Sequence, residues 1–527
     1  MIETALGRGM AFTAPHRLAT KAGADILEGG GSAVEAMVAA AATIAVVYPH
    51  MNAIGGDGFW IIKRKGAAPQ GVFACGAAAG LATPEWYAER GHTTALPTRG
   101  AEAALTIPAT IAGWAKALDL DGSAPARLSD LLADAISHAR GGIAVSRNQS
   151  ETTAEKLDGL ADVPGFADVF LQNGAVPPPG ARLVQPALAG TFERLAEAGL
   201  DDYYRGDIGA THARFLEAAG SPLRKADFDA ATAREVTPLT LRTRQGTLYN
   251  MIPPTQGMAS LAILGAFDRL GVTGAETFDH WHGLIEATKQ AFIVRNRELG
   301  DTRTMARPAQ DLLGDDDIAA LARGIDMTRA LPWPHEPKDG DTIWMGAVDA
   351  EGTVVSFIQS VYWEFGSGLV CPETGVYFQN RGAGFSLAPG PNQLRPGHHP
   401  FHTLNPALAE LSDGRVMAYG TMGGEGQPQT QAAVFSRYAM FGQPLQAAIT
   451  APRWLLGRTW GDETTSLKIE STADPSMVEA LRAAGHDVEI LPAFSSLMGH
   501  AGAVVAHPDG GTESASDPRS DGWAYAR

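Results

Sequence analysis

The pattern of the chain changes at residue 341, and that change limits what it can fold into. Upstream, apolar residues recur at helical spacing. HRLATKAGADILEGGG ends in a glycine run that stops a helix, and Ser32 then caps a second helix running to Pro49. MNAIGGDGFWIIKR follows as a Gly-rich turn leading into a short apolar strand. Pro and Gly cluster around 95–125 and 163–182, which predicts loops, and the polar, Pro-rich stretch 303–340 reads as an exposed connection. Downstream, DTIWMGAVDAEGTVVSFIQSVYWEF reads as two strands joined by a turn at Ala350-Glu351-Gly352. GVYFQNR, GRVMAYG, DVEIL and AGAVVAHPDG read as further strands, with helices at QTQAAVFSRYAMFG and PSMVEALRAAG. A helix-rich part and a strand-rich part joined by a polar connection predict a layered α/β architecture.

A net charge of -17 argues against nucleic acid or an anionic membrane as the main partner and leaves room for a small substrate. Cys75 and Cys371 form no CxxC, so no disulfide framework is expected. The N-terminus carries no apolar signal region. The most apolar stretch, 36–47, is too short to span a bilayer and reads as a buried helix. A cytoplasmic location is the expectation.

The chain has no GxSxG, HExxH or GxxxxGK[ST] motif and no cluster with metal-ligand spacing. Asp315-Asp316-Asp317 reads as an acidic helix start, and His398 and His399 as a solvent-facing loop pair. No cofactor or metal is expected. What remains is Thr342, opening a strand after an exposed loop. A threonine hydroxyl becomes an effective nucleophile when its own α-amine serves as general base, and cleavage after Asp341 would free that amine. By itself such a threonine equally suits the start of a strand for its β-propensity. Gly423-Gly424, in YGTMGGEGQ, could aim backbone N–H groups at a developing oxyanion, or could simply form a tight turn.

PHRLATKAGADILEGGGSAVEAMVAAAATIAVVYPHMNAIGGDGF, IPATIAGW, TIWMGAVDAEGTVVSF, FGSG, PFHTLNPAL, GTMGGEGQ, APRW and ASDPRS occur in this order over nearly the whole chain. In these blocks the sequence resembles the γ-glutamyltransferase family. The resemblance implies a four-layer αββα sandwich of the N-terminal-nucleophile hydrolase type. It implies self-cleavage into a large subunit, 1–341, and a small one, 342–527, that stay associated. It makes Thr342 the nucleophile, Gly423 and Gly424 the oxyanion donors, Ser360 the support of the nucleophile's amine, and Asn380 a substrate-strand residue.

The departures from the family pattern are equally informative. Its Thr-Thr-His start is Thr342-Ile343-Trp344 here. The Arg that holds an α-carboxylate, placed in GLATPEWY, falls at Pro84, with no Arg until Arg90. The Asp that holds an α-ammonium becomes Gly384, two adjacent serines become His402 and Thr403, and an Asn becomes Tyr362. Arg381 appears in the same segment as the lost Asp. An α-ammonium thus loses its counter-ion, while a guanidinium that fits a carboxylate bidentately is gained. A structural salt bridge is the other reading of Arg381. Trp344, Tyr362 and Trp363 are expected to add bulk to the pocket. DTIWMG, SFIQS, FQNRGA and PRWLLGRTWG are most similar to the family's oxamate amidohydrolase branch. That similarity implies a small carboxylate-bearing amide as substrate and a cytoplasmic role in purine-nitrogen salvage. A γ-glutamyl hydrolase or transferase, a cephalosporin-acylase-like amidase and an unprocessed binding protein are the alternatives.

Overall fold

The computed structural model describes residues 3–122, 127–333, 341–457 and 465–527. Residues 334–340, the end of the expected exposed connection, lie outside them, as do 458–464 of PRWLLGRTWG and the side chain of Asp341.

Two seven-stranded antiparallel sheets face each other. One runs Ala5–Arg8, Gly511–Ser516, Ala501–Ala506, Val416–Thr421, Ala407–Leu411, Gly246–Asn250, Leu239–Thr243. The other runs Trp523–Ala526, Ala11–Ala14, Asp341–Val348, Val354–Tyr362, Asp57–Lys63, Gln70–Ala74, Arg234–Val236. Alternation along the strands sorts their side chains between two cores. Ile343, Met345 and Ala347 pack with the helices outside the second sheet. Trp344 and Val348 join Ile358, Phe59, Leu408 and Val504 between the sheets. A third core places helices Gly257–Asp268, Phe278–Glu298 and Gly426–Phe435 over the first sheet. These layers make the αββα sandwich.

Helix Ala33–Val47 is buried on every side, as its all-apolar pattern requires. Ser32 and Glu35 close a capping box at its start, with bonds of 3.0 and 3.1 Å; such caps contribute about 1 kcal/mol. Asp315–Arg323 is a helix with three aspartates in its first turn, so 303–340 is not wholly unstructured. Helix Thr110–Asp121 likewise interrupts the 95–125 loop. GVYFQNR is not a strand: only the bridge Val370↔Tyr377 forms, and a 3-10 turn follows at Arg381–Gly384. Its backbone serves instead as packing surface for the Gly-rich turn, since a Cβ at Gly55 would lie 1.9 Å from Tyr377 O.

Trp344 does not fill a pocket. Its Nε1 donates to Ser356 Oγ at 3.0 Å, and its ring lies where Cβ atoms at Gly420 and Gly502 would clash at 2.2 and 2.7 Å. Its bulk therefore goes into the core between the sheets. His399 is not solvent-facing either: it stacks edge-on to Phe73 at 5.3 Å, and burial lowers its pKa to about 4. Both cysteines are free and buried.

Candidate active site

Thr342 shares strand parity with Trp344 and so faces the space between the sheets, at its end. It is fully buried. Asp341 pairs with Tyr362 while Ile343 pairs with Gln359, so the partner strand carries one extra residue and Thr342 falls opposite the Ser360–Val361 step. Such a bulge re-aims side chains at a sheet end. Ser360 in turn pairs with Asp57 on the next strand. Three neighbouring strands thus set Thr342, Ser360 and Asp57 near one another. Gly56 makes this possible, because a Cβ there would lie 2.0 Å from Ser360 O. Ser360 Oγ accepts from Tyr362 N at 2.7 Å.

Gln427 Nε2 donates to Thr342 Oγ1 at 3.3 Å from the first turn of helix Gly426–Phe435. Just before that helix, Gly423 and Gly424 adopt φ of 112° and 53°, conformations that favour glycine. Among the described residues, neither glycine N–H has an acceptor. Gln256 Nε2 donates to both Gly424 O and Thr403 O, at 2.8 Å each. Its Oε1 accepts from Arg295 Nη1 at 2.9 Å, and Arg295 pairs with Glu425 at 2.8 Å, all of them buried. Behind the glycines, Arg453 Nη1 donates to Met498 O and Gly499 O at 2.9 Å each. Arg453 also pairs with Asp517, which Arg519 joins at 3.1 Å. A Cβ at Gly423 would lie 3.5 Å from Gly499 Cα. The APRW and ASDPRS blocks thus brace the segment that packs behind Gly423.

Arg381 is buried, its guanidinium 3.8 Å from the centre of the Tyr362 ring. Nη1 donates to Thr403 Oγ1 at 3.3 Å. Nε and Nη2, the edge that grips a carboxylate side-on, have no acceptor among the described residues. Burial lowers its pKa to about 10. No structural salt bridge joins it to a described carboxylate. The contacts close a ring: Thr342 to Gln427, Gly424, Gln256, Thr403, Arg381, Tyr362, and back across the strand pair to Asp341.

His402 Nδ1 accepts from Leu404 N at 3.3 Å, so its Nε2 carries the proton and donates to Asp57 Oδ2 at 3.1 Å. Burial holds His402 well below the usual imidazole range. Asn380 clamps backbone: Oδ1 accepts from Trp363 N at 3.1 Å and Nδ2 donates to Thr98 O at 2.9 Å. It therefore positions the wall beside Arg381. Pro84 only opens helix Pro84–Ala88, and Arg90 lies on Trp86 at 3.6 Å, near Glu102. Cys75 has its Sγ within 4.8 Å of a carboxylate oxygen of Asp57 and a ring nitrogen of His402.

Sequence reasoning missed Asp57, Cys75, Gln256 and Gln427. An Asp inside IGGDGF and a Gln directly after GGEG were usable signals. Nothing marks Cys75 in its Ala-rich surroundings.

Two antiparallel sheets between helical layers, with a threonine at the end of a central strand, define an N-terminal-nucleophile hydrolase. The chain belongs to the gamma-glutamyltranspeptidase family, which it matches over residues 19–526. It is 53% identical to the Oxamate amidohydrolase proenzyme of Klebsiella pneumoniae, over 98% of both chains. It is 36% identical to the Glutathione hydrolase-like YwrD proenzyme of Bacillus subtilis, over 99% of both. Among solved structures it resembles cephalosporin acylase from Bacillus halodurans, with a TM-score of 0.91 and 28% identity over 100% of this chain and 97% of that one. Among the described residues, no helix is long and apolar enough to cross a membrane.

Proposed function

We propose that this chain is a self-processing amidohydrolase that converts oxamate and water to oxalate and ammonia. The observation that carries the reading is the acceptor-free Nε/Nη2 edge of buried Arg381, in one ring of contacts with Thr342 and Gly424. An unpaired buried guanidinium costs several kcal/mol, and a substrate carboxylate offsets that. The 53% identity to an oxamate amidohydrolase proenzyme supports the same substrate.

In the precursor, Thr342 Oγ1 attacks the Asp341 carbonyl carbon, the chain shifts to an ester, and water hydrolyses it. Fragments 1–341 and 342–527 result. They stay together because Ala11–Ala14 and Asp57–Lys63 of the first flank, in one sheet, the two strands of the second, one from Thr342 to Val348 and the other Val354–Tyr362. In the mature site the Thr342 α-amine, with an ordinary pKa of about 7.7–8.0, takes the hydroxyl proton. Gln427 orients Oγ1, and Ser360 stands beside the amine. Oγ1 attacks the amide carbon while Arg381 holds the carboxylate and the Gly423 and Gly424 N–H groups take the oxyanion. The amine's proton passes to departing ammonia, and water then releases oxalate from the ester. Cys75, His402 and Tyr362 crowd the wall, which favours a small substrate.

Ammonia release from oxamate tests the reading, beside aniline release from a γ-glutamyl anilide. Oxamate turnover with little anilide cleavage is expected; the reverse would make the chain a γ-glutamyl hydrolase.

A further inference from the structure

Two opposite charges are buried in the site, and two consecutive residues hold them apart. Asp57 is fully buried. Its Oδ1 accepts from Gly76 N at 2.9 Å and Gln379 Nε2 at 3.1 Å, and its Oδ2 accepts from His402 Nε2 at 3.1 Å. All three donors are neutral. Arg381 is equally buried and is held through Nη1 by Thr403. His402 thus holds the anion and Thr403 the cation, and no ion pair joins the two among the described residues. They still feel one another, because the guanidinium pulls Asp57 toward its ionised form.

We propose that Asp57 is a proton-linked partner of Arg381 in the carboxylate site: when a substrate carboxylate docks on the Nε/Nη2 edge, the Asp57 carboxylate takes up a proton from solvent. The proposal rests on the reading of Arg381 given under Proposed function.

In the unfilled site Arg381 is the charge that compensates Asp57. A docked carboxylate neutralises that compensation and brings a second anion into the same low-dielectric space, where like charges resist joint ionisation. The neighbours offer no substitute. His402 is held neutral by burial, as is the Cys75 thiol at the end of the adjoining strand. Tyr204, from the helical layer, is held neutral in the same way. His399, beyond Cys75, has its pKa lowered to about 4. Asp301 acts on Cys75 from the same side and is anionic, its carboxyl held well below the usual range by Arg303. Burial already places Asp57 at about 7 before any ligand arrives. Docking moves it higher, so carboxylates bind best to the form with neutral Asp57, and affinity falls as pH rises above about 7. Once cleavage has occurred the Thr342 amine titrates nearby, so the test must separate the two groups.

The probe is lactate, a small carboxylate with no amide to cleave, titrated calorimetrically into processed enzyme at pH 6 and pH 8 in two buffers of different ionisation enthalpy. The wild type is expected to take up close to one proton per lactate at pH 8 and little at pH 6. Asp57→Asn is expected to take up none, and at pH 8 to bind lactate about tenfold tighter than the wild type, the factor that one pH unit of linkage supplies. Proton uptake that persists in Asp57→Asn, or is missing from the wild type, overturns the linkage. If Asp57→Asn does not process, the wild-type infrared difference spectrum at pH 8 decides: lactate must raise a protonated-carboxyl band, and its absence overturns the proposal. Lactate binding that survives Arg381→Ala overturns the carboxylate dock itself, as does failure of lactate to bind the wild type. Binding that needs Arg381 yet moves no proton overturns the linkage alone.

Discussion

Tyr362 reaches Arg381 from a strained backbone position: its φ is 84°, and its ring centre lies 3.8 Å from the guanidinium carbon. A bulky side chain in that region costs about 1–3 kcal/mol and persists where the surroundings enforce it. The same residue pairs across the ladder with Asp341, so one strained position joins the start of the Thr342 strand to the Arg381 guanidinium. Stacking on the ring and the bond to Thr403 fix the plane of the guanidinium and aim its free edge.

Arg381→Lys keeps the charge but loses the two-donor edge and the flat stack. KM for oxamate should rise about tenfold or more, and in Arg381→Ala about 100-fold, equivalent to roughly 3 kcal/mol. Self-cleavage should persist in both. Steady-state kinetics on processed protein check this, and an unchanged KM would return Arg381 to a purely structural role.

Gln256 ties Gly424 to Thr403. Gln256→Leu should lower kcat about 10- to 100-fold while changing KM less, because oxyanion stabilisation depends on where the N–H groups sit. Gly423→Ala should also lower kcat, since φ of 112° strains any Cβ-bearing residue. A fall confined to KM in both variants would argue against the oxyanion assignment.

Asp57 also makes a stability prediction. Burial raises its folded pKa from 3.8 to about 7. A raised folded pKa means that the contribution of Asp57 is fully present below about 3.8 and is lost as pH rises through about 7. Asp57→Asn should therefore raise Tm relative to wild type more at pH 8 than at pH 5. Thermal unfolding at the two pH values measures this; an equal shift at both would show that Asp57 does not titrate between them.

Much of the fold was legible because its signals are local. The strands from 341 and 354, their turn, the Ser32 cap and the acidic start at Asp315 form as their sequences predict. GVYFQNR failed because its alternation answers to packing on the Gly55–Gly56 turn rather than to a ladder. In the site, Thr342, the glycine pair and Arg381 were marked by ordered blocks and by departures from them. Gln256 and Cys75 were not, because their roles arise from contacts across 147 residues in one case and from a buried cluster in the other. Trp344 was misplaced for a related reason: the sequence shows its size but not the two facing glycines that receive it.

Intact-mass analysis of the purified protein tests the central claim most directly. The account predicts two fragments, the smaller beginning at Thr342, and a single full-length chain for Thr342→Ala. A wild-type chain that stays whole, a fragment starting elsewhere, or two fragments persisting in Thr342→Ala would contradict it.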